Sequence, residues 1–220
     1  MRTILFLISV LFLSCKATSV SKNTANEIAG YKTEILKYRL ENEDTLVDIG
    51  CGPGYVDHII SHYYPKLFFI LEDLPYLIKV EEKQNTLTKE LVETKAEVGR
   101  FLKNSTFSPN IEKRYQLIIG KEDLIPLPSS SFNKILCRMT LHEFVNKQKM
   151  VSELERILRP KGILTIVEAE PNFNGEVEKY CGNKYIAKES ILQMFNAFTL
   201  KDTNTVNYSD RKMNILHFTK

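Results

Sequence analysis

Apolar positions along the chain follow two alternating rhythms. Ile28, Tyr31, Ile35, Leu36 and Leu40 recur at helical spacing and predict a leading helix. Thr45–Ile49 is a short apolar strand that runs into a glycine turn. Residues 55–64 predict a helix stopped by Pro65, and residues 67–71 form an unbroken apolar run of strand length. Such runs mark strands covered on both faces, as in parallel sheets. Tyr115–Ile119 and Phe132–Arg138 predict two more strands, separated by a Pro/Ser loop at 123–131. Residues 144–158 predict a helix ending before Pro160, 162–167 a strand and 190–198 a helix. The strands 200–207 and 213–219 are joined by a turn at 208–211, which makes a hairpin. Strands alternating with helices predict an α/β fold, mainly parallel, with helices on both faces and an antiparallel C-terminal hairpin.

Two stretches stand apart. Residues 75–104 are heavily charged, with Leu87, Leu91, Val98 and Leu102 roughly on one helical face. A solvated helix with one buried stripe is expected there, a lid or dimer contact being the sharper alternative. Residues 1–14 carry Arg2 and then a nearly continuous apolar run, too short to span a bilayer but right for the h-region of a secretory signal. Ser14-Cys15 follows, and then a polar stretch rich in Ser, Thr, Asn and Lys. The Ser14-Cys15 step resembles the cleavage site of bacterial lipoproteins, which implies lipidation of Cys15 and a membrane anchor in the cell envelope. The alternatives are an uncleaved anchor, or a cytoplasmic protein whose first segment is no signal. The division expected is a signal at 1–14, a tether at 15–26 and one domain at 27–220.

Composition narrows the function. The 220 residues are 43% hydrophobic and 26% charged, the balance of a globular domain. A net charge of +3 with no dense basic block argues against nucleic acid. Cys15, Cys51, Cys137 and Cys181 form no CxxC pair and no Cys/His cluster at ligand spacing, so neither a disulfide framework nor a metal site is expected.

The chemistry concentrates at Asp48, Gly50, Gly52 and Gly54, between a strand and a helix. Glycines there let the backbone approach a ligand closely, and the helix start behind them offers N–H groups. The GxGxG spacing differs from the GxGxxG of a dinucleotide site, which counts against NAD. Glu72 and Asp73 stand at the end of the next strand, where a carboxylate can accept both hydroxyls of a ribose. Asp48-x-Gly50-x-Gly52-x-Gly54 resembles motif I of class I S-adenosylmethionine-dependent methyltransferases, and Asp73-Leu74-Pro75 resembles their ribose-binding acid. Residues 125–136 resemble the family's loop and fourth strand, and 154–162 its approach to the fifth strand. The resemblance runs from about residue 28 to the C-terminus. It implies a Rossmann-like seven-stranded sheet with the last strand antiparallel, and S-adenosyl-L-methionine as cofactor. It further implies that Gly50, Gly52 and Gly54, with Asp48 close by, lie along the methionine end. Asp73 would hold the ribose, with Glu72 as rival. Relatives often have an acid in place of Lys121, near the adenine; the nearest acids here are Glu122 and Asp123.

His142, after the fourth strand, is the candidate general base, with ordering of a helix start as the alternative role. The motifs of amino-methylating and of cysteine-using nucleic-acid enzymes are absent, which leaves a small molecule or lipid as acceptor. A fold that binds a ligand or partner without catalysis is the competing expectation.

Overall fold

The computed structural model describes residues 25–75, 114–208 and 211–220. The signal, Cys15, most of the tether and the charged segment beyond Pro75 lie outside the described residues. No described helix is long and apolar enough to cross a membrane.

Seven strands form one sheet: β1 (Thr45–Ile49), β2 (Phe68–Asp73), β3 (Tyr115–Ile119), β4 (Phe132–Arg138), β5 (Leu158–Ala169), β6 (Thr199–Asn207) and β7 (Lys212–Thr219). Their order is β3-β2-β1-β4-β5-β7-β6. The first five pair in parallel, and β7 runs antiparallel to both β5 and β6. The expected architecture therefore holds, Rossmann-like sheet and terminal hairpin together. Between β1 and β4 the strand order reverses direction, and the carboxyl ends of these strands form the crevice where open α/β sheets bind ligands.

Both faces are buried. Val47 and Ile49 of β1, Ile135 and Cys137 of β4, and Leu164 and Ile166 of β5 point to one face. Leu46, Leu136 and Val167 point to the other. Successive strand residues alternate sides, so a continuously apolar strand feeds two cores. Helices α3 (Lys147–Ile157) and α4 (Lys188–Met194) cover the first face through Met150, Leu154 and Ile191. Helices α1 (Ala25–Ile35) and α2 (Tyr55–Tyr63) cover the second through Ile35, Ile59 and Ile60. Each fully buried aliphatic side chain of this kind contributes about 1.5–3 kcal/mol.

Several boundaries differ from the sequence expectation. α1 begins at Ala25, inside the expected tether, and stops at Ile35; Leu36 is exposed, and a left-handed Arg39 (φ 57°) turns the chain so that Leu40 returns to the core. α3 starts at Lys147 because the Asn146 side chain caps it, accepting the Lys149 N–H at 3.0 Å. β5 begins at Leu158, directly after the helix. Its Lys161 is left-handed (φ 67°), and the register against β4 shifts between Phe132 and Lys134. The Pro160–Gly162 turn is therefore a bulge in a strand and not its boundary. β2 runs on to Asp73, which makes Glu72 and Asp73 strand residues with side chains on opposite faces.

Candidate functional site

Gly50, Gly52 and Gly54 all have left-handed backbone, with φ of 72°, 54° and 72°. Gly50 also has no room: a Cβ there would stand 2.1 Å from Thr140 Cγ2. A Cβ on Gly52 would meet nothing within 4 Å. The first glycine thus allows close packing of β1 against the loop after β4, and the second keeps a surface bare. Thr140 Oγ1 donates to the Gly50 carbonyl at 3.2 Å, and the N–H groups of Gly50 and Cys51 donate to the Glu72 carbonyl at 2.8 and 3.1 Å. The turn is tied to strands on both sides. Gly54 caps α2.

The two acids of β2 have different surroundings. Asp73 Oδ2 accepts the Gly52 N–H at 2.7 Å, and Oδ1 accepts the Leu74 N–H at the same distance. These bonds hold its carboxylate across the mouth of the glycine turn. The Glu72 carboxyl fills the space over Gly120, where a Cβ would lie 1.5 Å from Oε1. Burial and then the Asp73 charge push Glu72 up to about 8, so it is largely protonated near neutral pH.

A cavity of about 340 Å³ opens at this edge of the sheet. Gly50, Gly52, Glu72 and Asp73 form its polar end, and Leu74, Met139, Phe144, Val145 and Met150 supply apolar wall. Glu122 and Lys121 line it; Asp123, Asp48 and Gly54 do not. Asp48 is buried beneath the turn, near the equally buried Asp57 of α2. Burial and repulsion from Asp57 raise Asp48 well above the usual carboxylate range, and burial brings Asp57 up to about 7.

His142 is outside the wall of this cavity. Its side chain is 1% exposed, its Nδ1 lies 2.8 Å from Glu168 Oε2, and its backbone N–H donates to Glu168 Oε1. It lines a second cavity of about 660 Å³ with Tyr185, Phe173 and Lys147. Burial works to lower the His142 pKa, but the Glu168 bond and the charges of Glu168, Glu143 and Glu178 outweigh it and raise it. The expectation of no metal site rested on spacing along the chain. Folding brings Cys181 beside His142 and Glu143, with one ligand atom of each within 4.8 Å of the others.

One charged group escaped the sequence reading. Glu34 of α1, fully buried, accepts two bonds from Arg138 at the end of β4, at 2.6 and 3.2 Å, and the hydroxyls of Tyr38 and Tyr208. Arg138 also stacks over the Tyr31 ring, 5.6 Å from its centre. Tyr38 is four residues away, but Arg138 and Tyr208 are 104 and 174 residues away, and no local pattern announces them.

Comparison with known proteins agrees with this geometry. Residues 47–166 match the family model described as "Methyltransferase domain". No curated protein matches the sequence. Among solved structures, a SAM-dependent methyltransferase from Aquifex aeolicus is 16% identical with a TM-score of 0.59, covering 86% of this chain and 89% of its own. The YcgJ protein of Bacillus subtilis is 14% identical (TM-score 0.57), covering 87% and 98%. The [4+2]-cyclase SpnF is 15% identical (TM-score 0.61), covering 88% and 81%. At these identities the likeness is one of fold.

Proposed function

The chain belongs to the methyltransferase-domain family, and on that premise we propose that it transfers the methyl group of S-adenosylmethionine to a small-molecule or lipid acceptor. The observation that carries the reading is the cavity over the β1–β4 crossover, with the Gly50–Gly52 backbone and the Asp73 carboxylate at its polar end. In this reading Asp73 accepts the ribose hydroxyls, each oxygen using a lone pair beyond the backbone bond it already holds. The amino-acid end of the cofactor lies along Gly50 and Gly52, above Asp48. The adenine lies among Leu74, Phe144 and Val145, with Glu122, the one of the two candidate acids that lines the cavity, nearest its amino group.

Methyl transfer from a sulfonium is a direct displacement, and the protein mainly holds acceptor and methyl in line. Such positioning is worth up to about 7–11 kcal/mol. The acceptor class rests on the sequence, which carries no nucleic-acid methyltransferase motif and no dense basic block. Lipidation of Cys15 at the end of the apolar N-terminal run would place the domain at a membrane, where a lipid acceptor is at hand. A second reading, in which the fold holds a ligand for other chemistry, is favoured by the cyclase among the solved neighbours. Isothermal titration of the full chain with S-adenosylmethionine and with NAD tests the cofactor on which the proposal depends. One-to-one binding of the first and none of the second is expected; binding of NAD alone, or of neither, would overturn the proposal.

A further inference from the structure

We propose that His142, Glu143 and Cys181 form a binding site for a divalent transition-metal ion of the zinc class, next to the methyl-donor cavity. The ligand atoms all lie within 4.8 Å of one another, and His142 Nε2 is 3.8 Å from Glu143 Oε1. Zinc bonds of about 2.0–2.3 Å in a tetrahedron separate neighbouring ligand atoms by roughly 3.3–3.8 Å, so a small closure completes the set.

The imidazole points to a ligand. His142 is 1% exposed, and its Nε2 is buried with no hydrogen-bond partner. Leaving such an atom unsatisfied costs about 1–3 kcal/mol, which an occupant removes. Its other nitrogen is 2.8 Å from Glu168 Oε2, a residue that is itself fully buried on β5. A carboxylate receiving Nδ1–H fixes the tautomer that leaves the Nε2 lone pair for a metal. This is the arrangement behind most metal-bound histidines.

Cys181 is presented in a comparable way. It sits in a short turn in which Glu178 N–H donates to the Asn183 carbonyl at 2.7 Å and Gly182 is left-handed. Glu178 Oε2 accepts the Cys181 N–H at 2.8 Å, and the Asn183 N–H points at Cys181 Sγ at 3.4 Å. These backbone bonds fix the turn and hold the sulfur in place beside the His142 imidazole. A nitrogen, a sulfur and a single carboxylate oxygen select zinc over magnesium or calcium, which take oxygen ligands.

Three protein ligands leave a fourth position for water or for an acceptor's oxygen, nitrogen or sulfur, as in catalytic rather than structural zinc sites. Glu143 lines the first cavity and His142 the second, so the ion is placed between the two.

The test uses the full chain stripped with chelator and titrated with Zn²⁺ and, separately, Co²⁺, without cofactor. One equivalent of zinc per chain is expected, with a thiolate-to-cobalt charge-transfer band in the near ultraviolet. Cys181→Ser, at an exposed turn and so expected to fold, should abolish the band and the tight zinc binding. Glu168→Gln keeps all three ligands and should weaken zinc binding about 10–100-fold. Glu143→Gln provides a second arm if Glu168→Gln fails to fold. Wild-type protein that takes up less than one equivalent, or a Cys181→Ser protein with unchanged stoichiometry and band, would overturn the site. Titration with S-adenosylmethionine on metal-free protein reports on the methyltransferase reading independently.

Discussion

Glu34 and Asp57 are both completely buried carboxyls, on two helices that cover the same face of the sheet, yet their surroundings have opposite character. Burial pushes the Glu34 pKa up, but the Arg138 charge and the bonds from Arg138, Tyr208 and Tyr38 outweigh it, and the group stays ionised below its usual value. Around Asp57 the nearest ionisable partner is another acid, Asp48, which in turn feels Asp73. Arg138 attracts both clusters, but its guanidinium is bonded to Glu34. One cluster is balanced and closed. The other sets two buried acids, Asp48 and Asp57, side by side under a glycine turn, while the cation that acts on both, Arg138, is bonded elsewhere. Strongly perturbed groups beside a cavity mark functional sites more often than scaffold.

The largest expected effect tests the balanced side. Arg138→Met leaves Glu34 buried and uncompensated, which should cost about 3–5 kcal/mol in urea unfolding. Replacing both members, as Glu34→Gln with Arg138→Met, should recover much of that loss. A single substitution costing under about 1 kcal/mol would mean that Glu34 is not held as described.

Next comes the open side. Asp73→Ala should weaken S-adenosylmethionine binding at least about tenfold, since each charge-assisted bond is worth roughly 1.5–3 kcal/mol and 1.4 kcal/mol is one decade. Glu72→Gln should weaken it less, because Glu72 is already largely protonated near pH 7. Titration calorimetry of the two variants side by side decides; equal losses would erase the distinction between the acids.

A third test is read as a slope against pH. Asp57 rises from an ordinary 3.8 to about 7, and Glu72 from 4.5 to about 8. Between those limits the unfolded chain releases a proton that the folded chain keeps. Stability should therefore fall as pH rises, by at most about 1.4 kcal/mol per pH unit for each group, and level off above the folded values. Asp57→Asn should flatten this slope in urea melts taken from about pH 5 to pH 8. A wild-type protein that gains stability over that range would contradict the acidic cluster.

The sheet and the glycine turn are legible in the sequence, whereas the long-range partners around them are not, for physical reasons. The glycine turn is local: Gly50, Gly52 and Gly54 are two apart, and their backbone demands are met within one loop. The β2 acids sit at a strand end that hydropathy locates, although the strand runs two residues past the last apolar position. What brackets the site comes from far along the chain. Thr140 packs onto Gly50 from the loop after β4, Glu168 holds His142 from β5, and Cys181 approaches from the connection between β5 and α4. Periodicity carries no information on such pairs. It also misplaced the start of β5, because Pro160 and Gly162 have the composition of a boundary, whereas strand pairing through Leu158 absorbs them as a bulge.

The reach of Glu34 also bears on how the domain assembles. Its bonds join α1 to the middle of the sheet and to the tip of the terminal hairpin, across 104 and 174 residues. Closing loops of that length costs conformational entropy before any bond is made. The complete set of bonds exists only when β4 is in the sheet and the β6–β7 hairpin is docked, so the full anchoring of the N-terminal helix depends on the last segment of the chain.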